Sequence, residues 1–79
     1  MLINEAISLR LKELLDERHM TQYQLFMKSG VPKSTINNIM HCSYESVKLR
    51  IVHELCQGLD ISLRGFFDSP LFEEYNLEP

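Results

Sequence analysis

The stretch from Thr21 to Asn38 constrains the fold more than any other part of this 79-residue chain. Thr21-Gln22-Tyr23-Gln24 has the pattern of a capping box, in which the threonine hydroxyl accepts from the Gln24 amide and the Gln24 side chain reaches back to Thr21. A short helix over about residues 22–28 follows from it. Ser29-Gly30 breaks that helix, because glycine enters the left-handed conformation without side-chain cost. Pro32 suits the first position of the next helix, over about 32–41, since its missing N–H has no helical partner there anyway. Leu25, Val31 and Ile36 supply apolar contacts on both sides of the turn. Two helices joined this tightly cross at a steep angle, and the second projects outward with the dimensions that fit a major groove.

The rest of the chain reads as helix too. Asn4 is placed to cap a first helix over about 5–18, with Ile7, Leu11 and Leu14 on one face. Ser46 is placed to cap a fourth over about 47–57, with Leu49, Val52, Leu55, Cys56 and Leu59 as its apolar stripe and Gly58 as its stop. Ser62 caps a fifth through Phe67, and Leu63, Phe66 and Phe67 read as core. No alternating stretch is long enough for a strand, and there is no hairpin dipeptide. One all-α domain over 1–69 with a C-terminal segment over 70–79 accounts for the length. Leu71, Phe72, Tyr75 and Leu77 in that segment suit either packing on the domain or contact with a second copy.

Composition narrows the function. Apolar residues at 44% support a core. No apolar run reaches the roughly 20 residues of a membrane span, and Met1-Leu2-Ile3-Asn4-Glu5 lacks the start of a signal peptide. A cytoplasmic protein with reduced thiols is expected. The net charge of −3 argues against a polyanion partner until its distribution is considered. Residues 10–50 hold seven basic residues against four acidic ones, and residues 51–79 hold one against six. That asymmetry suits one face meeting DNA and another turned away.

His41, Cys42, His53 and Cys56 lack zinc-finger spacing, and Cys56 fits a small core position, so no metal is expected. No nucleophile–base constellation, glycine-rich phosphate loop or carboxylate pair suggests an enzyme, a cofactor or a small-molecule ligand.

The words Thr21-Gln22-x-x-Leu25, Gly30-Val31, Ile36, Leu49-x-x-Val52-x-x-Leu55-Cys56-x-x-Leu59-x-Ile61-Ser62-Leu63 and Phe66-Phe67 give the chain a family look over about residues 5–68. It resembles the phage-repressor and Cro-like (xenobiotic-response-element-type) helix-turn-helix proteins. The resemblance implies a compact five-helix, lambda-repressor-like DNA-binding domain whose second and third helices form the reading unit. It implies base contacts from Lys33, Ser34 and Asn38. It places Thr21, Gln22, Thr35 and Asn37 near the DNA backbone. Ser43, Tyr44 and Lys48, near the start of the fourth helix, are phosphate candidates helped by its N-terminal dipole. The chemistry agrees: lysine donates to guanine O6 and N7, and asparagine pairs bidentately with adenine N6 and N7.

The chain departs from the family at five positions. Phe26 replaces a small alanine between the two helices, and Leu15 replaces a phosphate-contacting arginine. His19 and Cys42 stand at positions usually filled by glycine, or by asparagine in the first case. Val47 replaces a proline. A regulator bound as a homodimer to a double-stranded, pseudo-palindromic operator is the expected function. With 79 residues, no separate sensor domain is expected. The rival from a different class is a protein-interaction module, antitoxin-like or regulator-binding, with weak or no DNA binding.

Overall fold

The computed structural model describes residues 1–79 and contains helices and turns only. Five α-helices follow in order: α1 Ile3–Glu17, α2 Gln22–Ser29, α3 Lys33–Met40, α4 Leu49–Leu59 and α5 Leu63–Phe67. Two 3-10 turns, Pro70–Phe72 and Glu74–Asn76, complete the chain. None of the helices is long and apolar enough to cross a membrane.

The core gathers one stripe from each helix. Leu11 and Leu14 of α1, Leu25 of α2, Ile36 and Ile39 of α3, Val52, Leu55, Cys56 and Leu59 of α4, and Phe66 of α5 are all fully buried. Val31, in the turn between α2 and α3, is buried with them. Leu15 also joins this cluster and does not face outward, which explains why an apolar residue replaces arginine there.

Several helix boundaries differ from expectation. Asn4 lies inside α1, not at its cap, and is buried. Its Nδ2 donates to the Tyr44 carbonyl at 2.7 Å, tying α1 to the loop before α4. The helix begins one residue after Leu2, whose N–H donates to Glu5 at 2.8 Å. Pro32 stands just before α3 as its N-cap, with extended ψ of 143°. Ser46 caps nothing; α4 begins after Lys48, and Leu49 is exposed at its first turn.

Gly58 is not a stop either. It sits within α4, which ends at Asp60 in the left-handed conformation with φ 56°. A Cβ on Gly58 would lie 2.7 Å from the Cβ of Ser29 and 3.0 Å from its backbone. The glycine lets α2 and α4 pack backbone to backbone, and so sets the angle of α2. Gly58→Ala is therefore expected to lower stability by about 1–2 kcal/mol. Overpacking of about 1–3 kcal/mol outweighs the gain of up to about 1 kcal/mol in helix propensity. Urea denaturation checks this; a stabilised variant would show that the contact is slack.

Two arginines that count in the central basic excess serve the fold. Arg10 donates from Nε to the Phe66 carbonyl at 2.7 Å and from Nη2 to the Gly65 carbonyl at 3.0 Å. Arg18 donates from Nε to the Leu59 carbonyl at 2.8 Å. Each brings a cation to carbonyls at a helix C-terminus, at the end of α5 and α4 respectively. Ser8, buried on α1, meets the end of α3 with a neutral donor, its hydroxyl donating to the Met40 carbonyl at 3.0 Å.

His19 and Cys42 both hold positive φ, 50° and 54°. The turn after α1 and the end of α3 thus demand the conformation that glycine adopts most readily, although neither position carries one. The terminal segment packs on the domain through Phe72. Its ring meets Phe67 edge-on at 4.8 Å, and Phe67 meets Phe66 likewise at 5.1 Å. Leu71 and Leu77 are half-buried, while Tyr75 is 81% exposed. The Glu78 N–H donates to the Met1 carbonyl at 2.8 Å, closing the two ends together.

Candidate nucleic-acid interface

The unit of α2, turn and α3 is built by local rules. Thr21 accepts from the Gln24 N–H at 3.1 Å, and the Gln24 side chain accepts from the Thr21 N–H at 2.9 Å, so the capping box starts α2 as its sequence demands. Gly30 ends it with φ 76°, its N–H donating to the Phe26 carbonyl at 2.9 Å. Ser29 Oγ accepts from the Val31 N–H at 3.1 Å and braces the turn. Helix α3 then turns Ile36 and Ile39 into the core. Lys33, Ser34 and Asn37 lie exposed, with Thr35 and Asn38 half-exposed beside them.

Lys33 is held in place. Its ammonium lies 5.2 Å from the centroid of the Tyr23 ring and 5.3 Å from that of Phe26. Cation–π attraction of about 0.5–1 kcal/mol per exposed contact restrains a side chain that is otherwise floppy. Phe26 thus does more than fill the place of an alanine: half of it packs on the core, and its ring helps aim the lysine. The i, i+3 spacing of Tyr23 and Phe26 on a short helix was the sequence signal for this platform.

Asn38 is held as well. Its Nδ2 donates to the Tyr44 hydroxyl at 2.8 Å. Tyr44 is itself fixed at its carbonyl by Asn4. Thr35, Tyr44 and Lys48 meet across an open cleft of about 320 Å³ lined also by Ile39, Val47 and Ile51. Ser43 lies beside this group, its N–H donating to the Asn38 carbonyl at 2.9 Å. Gln22 and Thr21 stand apart from it, at the start of α2. His41 Nδ1 donates to the Asn37 carbonyl at 2.8 Å, capping the end of α3.

Charge on this face is free. The ion pairs of the chain are Met1–Glu78, Arg10–Glu13 and Arg18–Glu17, so Lys28, Lys33, Lys48 and Arg50 are paired with no carboxylate. At the start of α4 no side chain caps the helix. The Leu49 and Arg50 N–H groups donate to nothing. Unpaired amides at a helix N-terminus, next to Lys48, are suited to an anionic oxygen.

A family model described as a Cro/C1-type HTH DNA-binding domain matches residues 10–68, from the middle of α1 to the end of α5. No curated protein and no solved structure matches the chain. A capped α2, a glycine turn and an outward α3 carrying free polar groups, matched by that model across the whole unit, place this chain among the Cro/C1-type helix-turn-helix DNA-binding domains.

Proposed function

We propose that the domain is a sequence-specific transcriptional regulator that lays α3 in the major groove and binds as a dimer to a pseudo-palindromic operator. The observation that carries this is the state of two polar side chains on α3. Lys33 rests on two aromatic rings and Asn38 is hydrogen-bonded to Tyr44. Side chains held before the ligand arrives lose less freedom on binding, and selective contacts depend on such positioning.

Lys33, Ser34 and Asn38 read base edges. Thr21, Gln22, Thr35, Asn37, Ser43, Tyr44 and Lys48 hold the backbone, with the free amides of Leu49 and Arg50 adding to the phosphate site at Lys48. One recognition helix reads only about 4–5 base pairs, and two-fold pairing doubles that length. The terminal segment spends Phe72 on its own domain and leaves Tyr75 outward, so the two-fold contact draws on α5 and Tyr75.

Selection from a random duplex library tests this. The expected result is enrichment of two inverted half-sites about one helical turn apart, or a multiple of it. Failure to enrich any sequence, together with stable capture of a protein, would favour the interaction module.

A further inference from the structure

The link between Asn38 and Tyr44 carries a consequence for base choice. An asparagine amide has two faces: Oδ1 accepts and Nδ2 donates. Adenine is recognised by one of each, Oδ1 taking the N6 hydrogen and Nδ2 giving to N7. A flipped amide that presents its NH2 group to the groove reads acceptors instead, as on guanine or thymine. Which face is shown depends on what holds the other.

Tyr44 is the holder. Its hydroxyl has one hydrogen to give and lone pairs to receive. It receives from Asn38 Nδ2 at 2.8 Å. Its position is set through its own carbonyl by the buried Asn4, and it shares a cleft with Lys48 and Thr35. A DNA phosphate held at Lys48 would take the free hydroxyl hydrogen. The hydroxyl oxygen can then only accept from Asn38, and the amide cannot flip. One Nδ2 hydrogen and Oδ1 are left for the base.

Resting on the proposed reading of DNA by α3, we propose that Tyr44 determines specificity at the base pair that Asn38 reads: its phosphate-polarised hydroxyl locks the Asn38 amide in the orientation that selects adenine. Tyr44 acts on the base through Asn38 and is a positioning residue.

The test compares wild type, Asn38→Ala and Tyr44→Phe in random-duplex selection and in titrations on the selected duplex. Side-chain amide spectra of Asn38 are recorded by NMR in the absence of DNA. The wild type is expected to select adenine at the base pair whose preference disappears in Asn38→Ala. Tyr44→Phe is expected to lose preference at that same base pair and at no other. Its affinity for the selected site should fall by roughly 10- to 100-fold per domain, because the hydrogen bond to the phosphate is lost together with the one to Asn38. The salt slope should not change, because no charge is removed.

In the spectra, the two Asn38 amide protons should move on removal of the hydroxyl. Unmoved protons overturn the lock whatever the DNA result. An Asn38-dependent G·C pair overturns the orientation. A Tyr44→Phe that binds all sequences less well, with the preference intact, makes Tyr44 a phosphate contact only. A wild type that selects nothing removes the base-reading function and this proposal with it, and the spectra then report on the hydrogen bond alone. Tyr44 is exposed, so the phenylalanine variant is expected to fold, as thermal melting verifies.

Discussion

Cys56→Asp is expected to leave the chain unfolded where the wild type is folded, while Cys56→Ala melts within a few degrees of it. Cys56 is 1% exposed among the apolar residues of α4, α1 and α5. Burial pushes its thiol above its ordinary pKa, so this place resists charge even on a polarizable sulfur. A carboxylate there finds no cation, since Arg10 and Arg18 are committed to helix ends. The cost of an unpaired buried charge, or of neutralising it, runs to several kcal/mol, against a total of about 5–15 kcal/mol for a domain. Alanine removes one sulfur and costs about 1 kcal/mol.

The raised thiol pKa fixes a sign as well. The folded state favours the neutral thiol, so its contribution is whole below the unfolded value of about 8.5 and declines as pH rises past it. Cys56→Ala should lack that alkaline decline. Cys42 is the control: it is exposed, and aspartate tolerates its positive φ, so Cys42→Asp should change stability by no more than about 0.5 kcal/mol. Circular dichroism of the three variants decides it, and a folded Cys56→Asp would show that the α4 stripe is not the core.

The elements legible in the sequence are those whose signals are local. The Thr21 box, the Gly30 break and the Ser62 cap each work within four residues, and each is found where expected. The apolar stripes of α1 and α3 were legible for the same reason, since helical period alone sorts Leu11, Leu14, Ile36 and Ile39 inward.

What the sequence hid are uses that need a distant partner. Asn4 has the chemistry of a cap, yet its amide is taken by Tyr44, forty residues on. Gly58 looks like a helix stop until Ser29 is seen against it. Arg10 and Arg18 look like cations for a polyanion until the carbonyls of α5 and α4 come within reach. Leu49 lies in register with the α4 stripe, but α4 begins there and its first turn extends past the core. In the site, residue types were legible and their pairing was not: Asn38 with Tyr44, and Lys33 with Tyr23 and Phe26, meet only once α2, α3 and the loop before α4 are assembled.

The reassignment of two arginines also weakens the electrostatic share of binding. The loss of affinity with salt should be shallow, because few free cations remain to displace counterions. On the proposed reading, discrimination then comes from the bases. Asn38→Ala is expected to weaken the selected site by roughly 10- to 100-fold per domain, the loss of one bidentate contact, with little change on scrambled DNA. Lys48→Ala removes a cation beside the open start of α4, where the proposed role is to hold the backbone. It should weaken all sequences alike and reduce the slope of log K against log salt by about one unit.

The decisive measurement is therefore a titration of wild type, Asn38→Ala and Lys48→Ala on selected and scrambled duplexes over a range of salt concentrations. Base reading by α3 predicts that Asn38→Ala abolishes discrimination at one base pair with its salt slope intact, and that Lys48→Ala keeps discrimination and loses slope. Two variants that behave alike, or a wild type that binds both duplexes equally, would contradict it.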